Sequence, residues 1–69
     1  MTLRLLYNFQ QAEPFVPFEI YLADGRVLPI TTADFLMTAG DGDTAVVFRP
    51  PGTTDFVNPA MITSVRFQD

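Results

Sequence analysis

The stretch from Glu19 to Ile30, EIYLADGRVLPI, constrains the fold more than any other in the chain. Apolar residues alternate up to Asp24-Gly25 and resume after it. Asp-Gly between two such runs is a strong local hairpin signal, because both positions of a two-residue type I′ turn need positive φ. A two-residue turn pairs Ala23 with Arg26, Leu22 with Val27, Tyr21 with Leu28 and Ile20 with Pro29. Directly paired residues share a face. Phe18, Ile20, Leu22 and Val27 then form one apolar face. Tyr21, Leu28 and Ile30 form a second, interrupted by Glu19 and Arg26. Thr44–Arg49 shows the same doubling, with Val46 and Phe48 on one side and Ala45 and Val47 on the other. A strand that is apolar on both faces needs a cover on each.

The remaining segments read as follows. Residues 2 to about 13 are a short helix, capped by Thr2 and stopped by Pro14. Leu5, Leu6 and Phe9 share its apolar side, with Leu3 at the edge. Strands are expected over about 16–23, 26–31, 35–39, 44–49 and 62–67. Gly40-Asp41-Gly42-Asp43 is a second hairpin turn. Pro50-Pro51-Gly52-Thr53-Thr54 is a loop, Phe56-Val57 pairs briefly, and Asn58-Pro59-Ala60-Met61 makes a single turn. The expected class is mainly β, with a short N-terminal helix followed by a small, strongly bent antiparallel barrel of about five strands. It forms a single domain over residues 1–69, with the sheet at about 16–67.

Size sharpens the need for a cover. A chain of 69 residues buries only about 60% of its unfolded surface. There is no Cys to form a disulfide, and no Cys or His to hold zinc. Hydrophobic residues nevertheless make up 48% of the chain, seven of them Phe. The short helix covers one patch only. Tyr21, Leu28, Ile30, Ala45 and Val47 are therefore expected to face a second copy of the chain, making the protein a homo-oligomer.

Charge limits the partners. Four Arg, no Lys and eight Asp plus Glu leave a net charge of −4. Nucleic-acid binders gather Lys and Arg to neutralise phosphates. Arg4, Arg26, Arg49 and Arg66 are scattered, so nucleic acid is not an expected partner. No stretch approaches the roughly 20 apolar residues of a membrane span, and none reads as a signal peptide. The absence of Cys agrees with a reducing compartment, and the chain reads as cytoplasmic.

Two resemblances follow from these residues. Pro14-Phe15-Val16-Pro17-Phe18-Glu19-Ile20-Tyr21-Leu22-Ala23-Asp24-Gly25-Arg26, with Ala33-Asp34-Phe35 after it, is similar to a PFxPFxIxLxDGR run and an xPDF turn found in a group of small uncharacterised bacterial proteins. This resemblance implies no activity. More remotely, the order of helix, Asp-Gly hairpin, second hairpin, one-turn element and closing strand resembles the Sm-like small barrels, Hfq among them. It implies an SH3/Sm-like barrel that assembles into rings by edge-strand pairing. Asn58-Pro59 stands where Hfq has its Lys-His pair, so the RNA-contacting residues of that family do not carry over.

No catalytic set emerges. There is no His and no Cys, and the lone Ser64 lies inside a strand. Glu19 and Asp24 sit five apart on one strand, so they face opposite sides and do not make an acid–base pair. Asp34 with Asp41-Gly42-Asp43 lacks the oxygen-ligand spacing of a calcium loop. These residues read as hairpin-tip chemistry. Arg26, beside the turn, is a weak candidate for an anion contact, against the plainer reading of a surface cross-strand pair. The expectation is a non-catalytic protein without cofactor or metal that works by self-association. An Sm-like RNA-binding ring is the alternative.

Overall fold

A computed structural model of the chain describes residues 1–40 and 42–68. Helix α1 (Leu3–Gln10) leads into strands β1 (Phe18–Leu22), β2 (Val27–Ile30), β3 (Leu36–Thr38), β4 (Ala45–Arg49), β5 (Thr53–Val57) and β6 (Ile62–Phe67). Single 3-10 turns over Ala33–Phe35 and Pro59–Met61 introduce β3 and β6. The strands form two antiparallel three-stranded sheets, ordered β2-β1-β6 and β3-β4-β5. The mainly-β class and the single short helix are as the sequence predicts.

The first hairpin corrects the expected register. Phe18 pairs with Ile30, Ile20 with Leu28 and Tyr21 with Val27. The connection has three residues, Ala23-Asp24-Gly25, not two. The Gly25 amide donates to the Leu22 carbonyl at 3.0 Å, and the Leu22 amide donates to the Arg26 carbonyl at 2.9 Å. Only Gly25 has positive φ, at 95°. This is the three-residue hairpin whose glycine takes the left-handed position after a tight turn. One extra loop residue slips the register by one, and a slip of one moves every side chain of β2 to the other face. Leu28 and Ile30 join Phe18, Ile20 and Leu22 inside, while Val27 and Pro29 turn outward. The hairpin has a single buried face.

β5 is the second departure. Pro50-Pro51-Gly52 is a tight turn, with the Gly52 amide donating to the Arg49 carbonyl at 3.2 Å. β5 then pairs along all of β4, from Arg49 opposite Thr53 to Ala45 opposite Val57. The sequence shows only Phe56-Val57 as strand because Asp55, a poor strand residue, interrupts the pattern. The tip between β3 and β4 includes Asp41, which lies outside the described residues.

The two sheets share one core. Phe18, Ile20, Leu22, Leu28, Ile30 and Ile62 from the first sheet meet Leu36, Ala45, Val47 and Val57 from the second. Leu6 of α1 closes it, fully buried. Burying such side chains stabilises by about 1.5–3 kcal/mol each. The helix docks through Leu3, Leu6 and Phe9, and Leu5 is exposed, so its inward face is rotated from the expected one. The Gln10 amide donates to the carbonyls of Ala33 and Leu36, tying the end of α1 to the second sheet. Phe9 also sits edge-on to Phe67 at 4.9 Å and to Phe18 at 5.9 Å. A helix of eight residues, marginal alone in water, is thereby held to both sheets.

Local capping fixes the two 3-10 turns. The Thr32 hydroxyl accepts from the Asp34 amide at 3.0 Å, and Asn58 Oδ1 accepts from the Ala60 amide at 2.9 Å. Asn58-Pro59 is thus a cap followed by proline in the first turn position, the placement each residue favours. The chain contains no helix, among the described residues, that is long and apolar enough to cross a membrane.

Candidate functional site

With the inward residues accounted for, the outer faces of the two sheets remain. On the first sheet, Glu19 lies opposite Arg66 and Tyr21 opposite Ser64. The Tyr21 hydroxyl donates to Glu19 Oε1 at 3.1 Å, and the Arg66 guanidinium sits 5.6 Å from the Tyr21 ring centroid. Val27 and Pro29 complete a mixed face. Opposite charges across strands and a cation over an aromatic ring each contribute a fraction of a kcal/mol, and together they give this surface a polar finish.

The outer face of the second sheet is different. Met37 lies opposite Val46, and Val46 opposite Phe56. These three form one row across all three strands. Phe48 follows Val46 on the same side, opposite Thr54. Phe56 is 72% exposed, Met37 56% and Phe48 37%. No charged side chain interrupts the row. Large aromatic and thioether side chains side by side make a contiguous exposed apolar patch, the kind of surface that often marks an interaction site.

This arrangement takes most of the residues expected at an interface out of reach of a second copy. Leu28, Ile30, Ala45 and Val47 are wholly buried within one chain and cannot meet a second one. Tyr21 is half-buried on the polar face, under Arg66. β4 carries apolar residues on both sides, and Ala45 and Val47, expected to face outward, are the inward pair. Val46 and Phe48 point out, and Met37 and Phe56 extend their row. The available signal was the alternation Asp55-Phe56-Val57, in which a large apolar residue precedes a buried one.

Arg26 is already engaged. Its Nε lies 2.8 Å from Asp24 Oδ2 and its Nη1 3.2 Å from Asp55 Oδ1. Arg49 Nε reaches Asp55 Oδ2 at 2.7 Å. The result is a chain of alternating charge, Asp24–Arg26–Asp55–Arg49, linking the first hairpin tip to β5. The Arg26 amide, foremost, holds the Asp24 carboxyl below its ordinary range; desolvation opposes it, and the Arg26 guanidinium adds to the lowering. Arg26 and Arg49 are 48% and 38% exposed, so each pair contributes under about 1 kcal/mol. Among the described residues, no three carboxylates gather closely enough to hold a metal ion.

No protein-family model matches this chain, and neither a curated protein nor a solved structure matches it.

Proposed function

We propose that the chain is a small, strongly bent barrel of the SH3/Sm-like kind that works by protein association, with copies of itself, rather than by catalysis, in the cytoplasm. The barrel reading is supported by the shared core and by the short path from β2 through the 3-10 turn at Ala33–Phe35 into β3. The association reading is carried by one observation, the uncharged row Met37–Val46–Phe56 with Phe48 beside it. Each copy has a net charge of −4, so two copies repel unless they meet where no charge is concentrated. The row provides that place, and a two-fold axis through it presents the same patch from both sides.

Analytical ultracentrifugation over a micromolar concentration series tests this. The wild-type mass should rise with concentration, and Phe56→Asp should remain a folded monomer. A wild-type chain that stays monomeric throughout overturns the proposal. Association that Phe56→Asp leaves unchanged places the interface elsewhere.

An RNA-binding ring would need arginines available to phosphate. Arg26 is bound to Asp24 and Asp55, Arg66 lies over Tyr21 opposite Glu19, and Arg49 offers phosphate only its terminal nitrogens, its Nε being held by Asp55. We therefore expect no retention of A-rich or U-rich oligomers in filter binding at physiological salt. Sub-micromolar affinity with a steep salt dependence would promote the ring reading instead.

A further inference from the structure

Away from the apolar row, the turn after β4 borders an open cleft of about 470 Å³ lined by Pro29, Thr31, Phe35, Arg49, Pro50 and Thr53. A smaller cleft of about 270 Å³ adjoins it, sharing Phe35, Arg49, Pro50 and Thr53. The larger volume falls in the range of about 300–1,000 Å³ typical of ligand sites. Three separate segments build it: the end of β2, the 3-10 turn capped by Thr32, and the Pro-Pro turn. Arg49 is the one charged residue among the walls.

Arg49 is held in an unusual way. A guanidinium facing a lone carboxylate commonly makes two parallel hydrogen bonds. Here Asp55 takes only the Nε of Arg49, and its other oxygen accepts from Arg26. Neither terminal nitrogen of Arg49 makes a hydrogen bond among the described residues. The side chain is fixed at its neck by a short 2.7 Å contact and keeps its fork of N–H donors open. Such a fork matches a planar oxyanion.

We propose that this cleft binds a monocarboxylate with a compact apolar or aromatic body. The carboxylate would pair with the terminal nitrogens of Arg49. Phe35, Pro29 and Pro50 would receive the apolar body, with the hydroxyls of Thr31 and Thr53 at its margin. Charge disfavours a dianion: with Asp24 and Asp55 balancing Arg26 and Arg49 locally and the whole chain at −4, a phosphate monoester is repelled more strongly than a monocarboxylate. The same chemistry occurs in a free small acid and in the C-terminus of a peptide that ends in an apolar residue.

The test is NMR titration of the full chain with 3-phenylpropionate and with its carboxamide. A second pair is acetyl-Gly-Gly-Phe with a free and with an amidated C-terminus. The acid of at least one pair should give saturable shifts centred on the amides of Arg49, Thr53 and Phe35, and the matching amide should not. Which acid saturates at lower concentration identifies the source. Arg49→Lys keeps the charge but loses the fork, and should weaken binding at least about tenfold, as for one lost charged hydrogen bond. The acid–amide comparison is made on the unaltered chain, so it decides the matter even if the variant fails to fold. Equal responses to acid and amide, no saturation by either acid, or undiminished binding by folded Arg49→Lys would each overturn the proposal.

Discussion

The two sheets are built alike and finished differently. Each has three antiparallel strands with an inner face in the common core. The first covers its outer face with Glu19, Tyr21 and Arg66, joined by a hydrogen bond and a cation–ring contact. The second leaves Met37, Val46, Phe48 and Phe56 in an unbroken row. Folding alone does not demand the second finish, since the first sheet shows that polar residues serve the same backbone. The apolar row is therefore where a role beyond folding is best sought.

Which face of the first sheet points inward is the most sensitive part of this comparison. Leu28→Glu places a charge in a fully buried position and should unfold the chain, an effect of more than about 3 kcal/mol. Val27→Glu, one residue earlier and 40% exposed, should change stability by less than about 0.5 kcal/mol. Circular dichroism melts of the pair decide the register. If Val27→Glu is the damaging change, the two-residue turn is correct and the faces are reversed.

The loop that sets this register gives the next largest effect. Gly25 has φ 95° and open space around the position of a side chain. Gly25→Val therefore suffers from backbone strain alone, about 1–2 kcal/mol. That corresponds to about 4–8 °C in the melting midpoint for each kcal/mol in a small domain. An unchanged midpoint would mean that Gly25 does not hold the left-handed position.

Asp55 joins the sheets, with Arg26 from the first hairpin and Arg49 from β4 on its two oxygens. Asp55→Asn should cost about 1 kcal/mol, and the loss should shrink in high salt. A loss that salt does not affect would point to packing instead.

The smallest effect concerns Asp24. Its folded-state pKa is lowered, first by the Arg26 amide and then by the Arg26 guanidinium. A depressed carboxylate contributes stability above its unfolded pKa, about 3.9, and loses it as pH falls through the lower folded value. The carboxyl carbon of Asp24, followed by NMR, should titrate below that of an aspartate in a short peptide. In Arg26→Gln the midpoint should move back toward the peptide value. A midpoint at or above the peptide value in the native chain would contradict the hairpin-tip geometry.

Much of the fold was legible because its signals are local. Asp24-Gly25 marks a hairpin, Asn58-Pro59 a single turn and Ile62–Phe67 a strand, while the helix ends at Gln10, short of the stop expected at Pro14. Loop length was not legible. Two- and three-residue connections both place glycine in the left-handed region, yet they send Leu28 and Ile30 to opposite faces. β5 was hidden because Asp55 is a poor strand residue, and one of the two arginines that reach it lies 29 residues away in sequence. The inward face of α1 was misjudged between Leu3 and Leu5, because both choices give an apolar stripe and only the Phe18–Phe67 surface selects one. The row Met37–Val46–Phe56 becomes visible once β5 is in place, and the cleft at Arg49 needs three distant segments assembled.

The contrast between the two outer faces is tested most directly by recording amide spectra of the wild-type chain from about 10 µM to about 1 mM, a range chosen to span weak to moderate self-association. Shifts that change with concentration at Met37, Val46, Phe48 and Phe56, while Glu19, Tyr21, Ser64 and Arg66 stay fixed, are the predicted result. Changes confined to the Glu19–Tyr21–Arg66 face, or no change on either face, would contradict it.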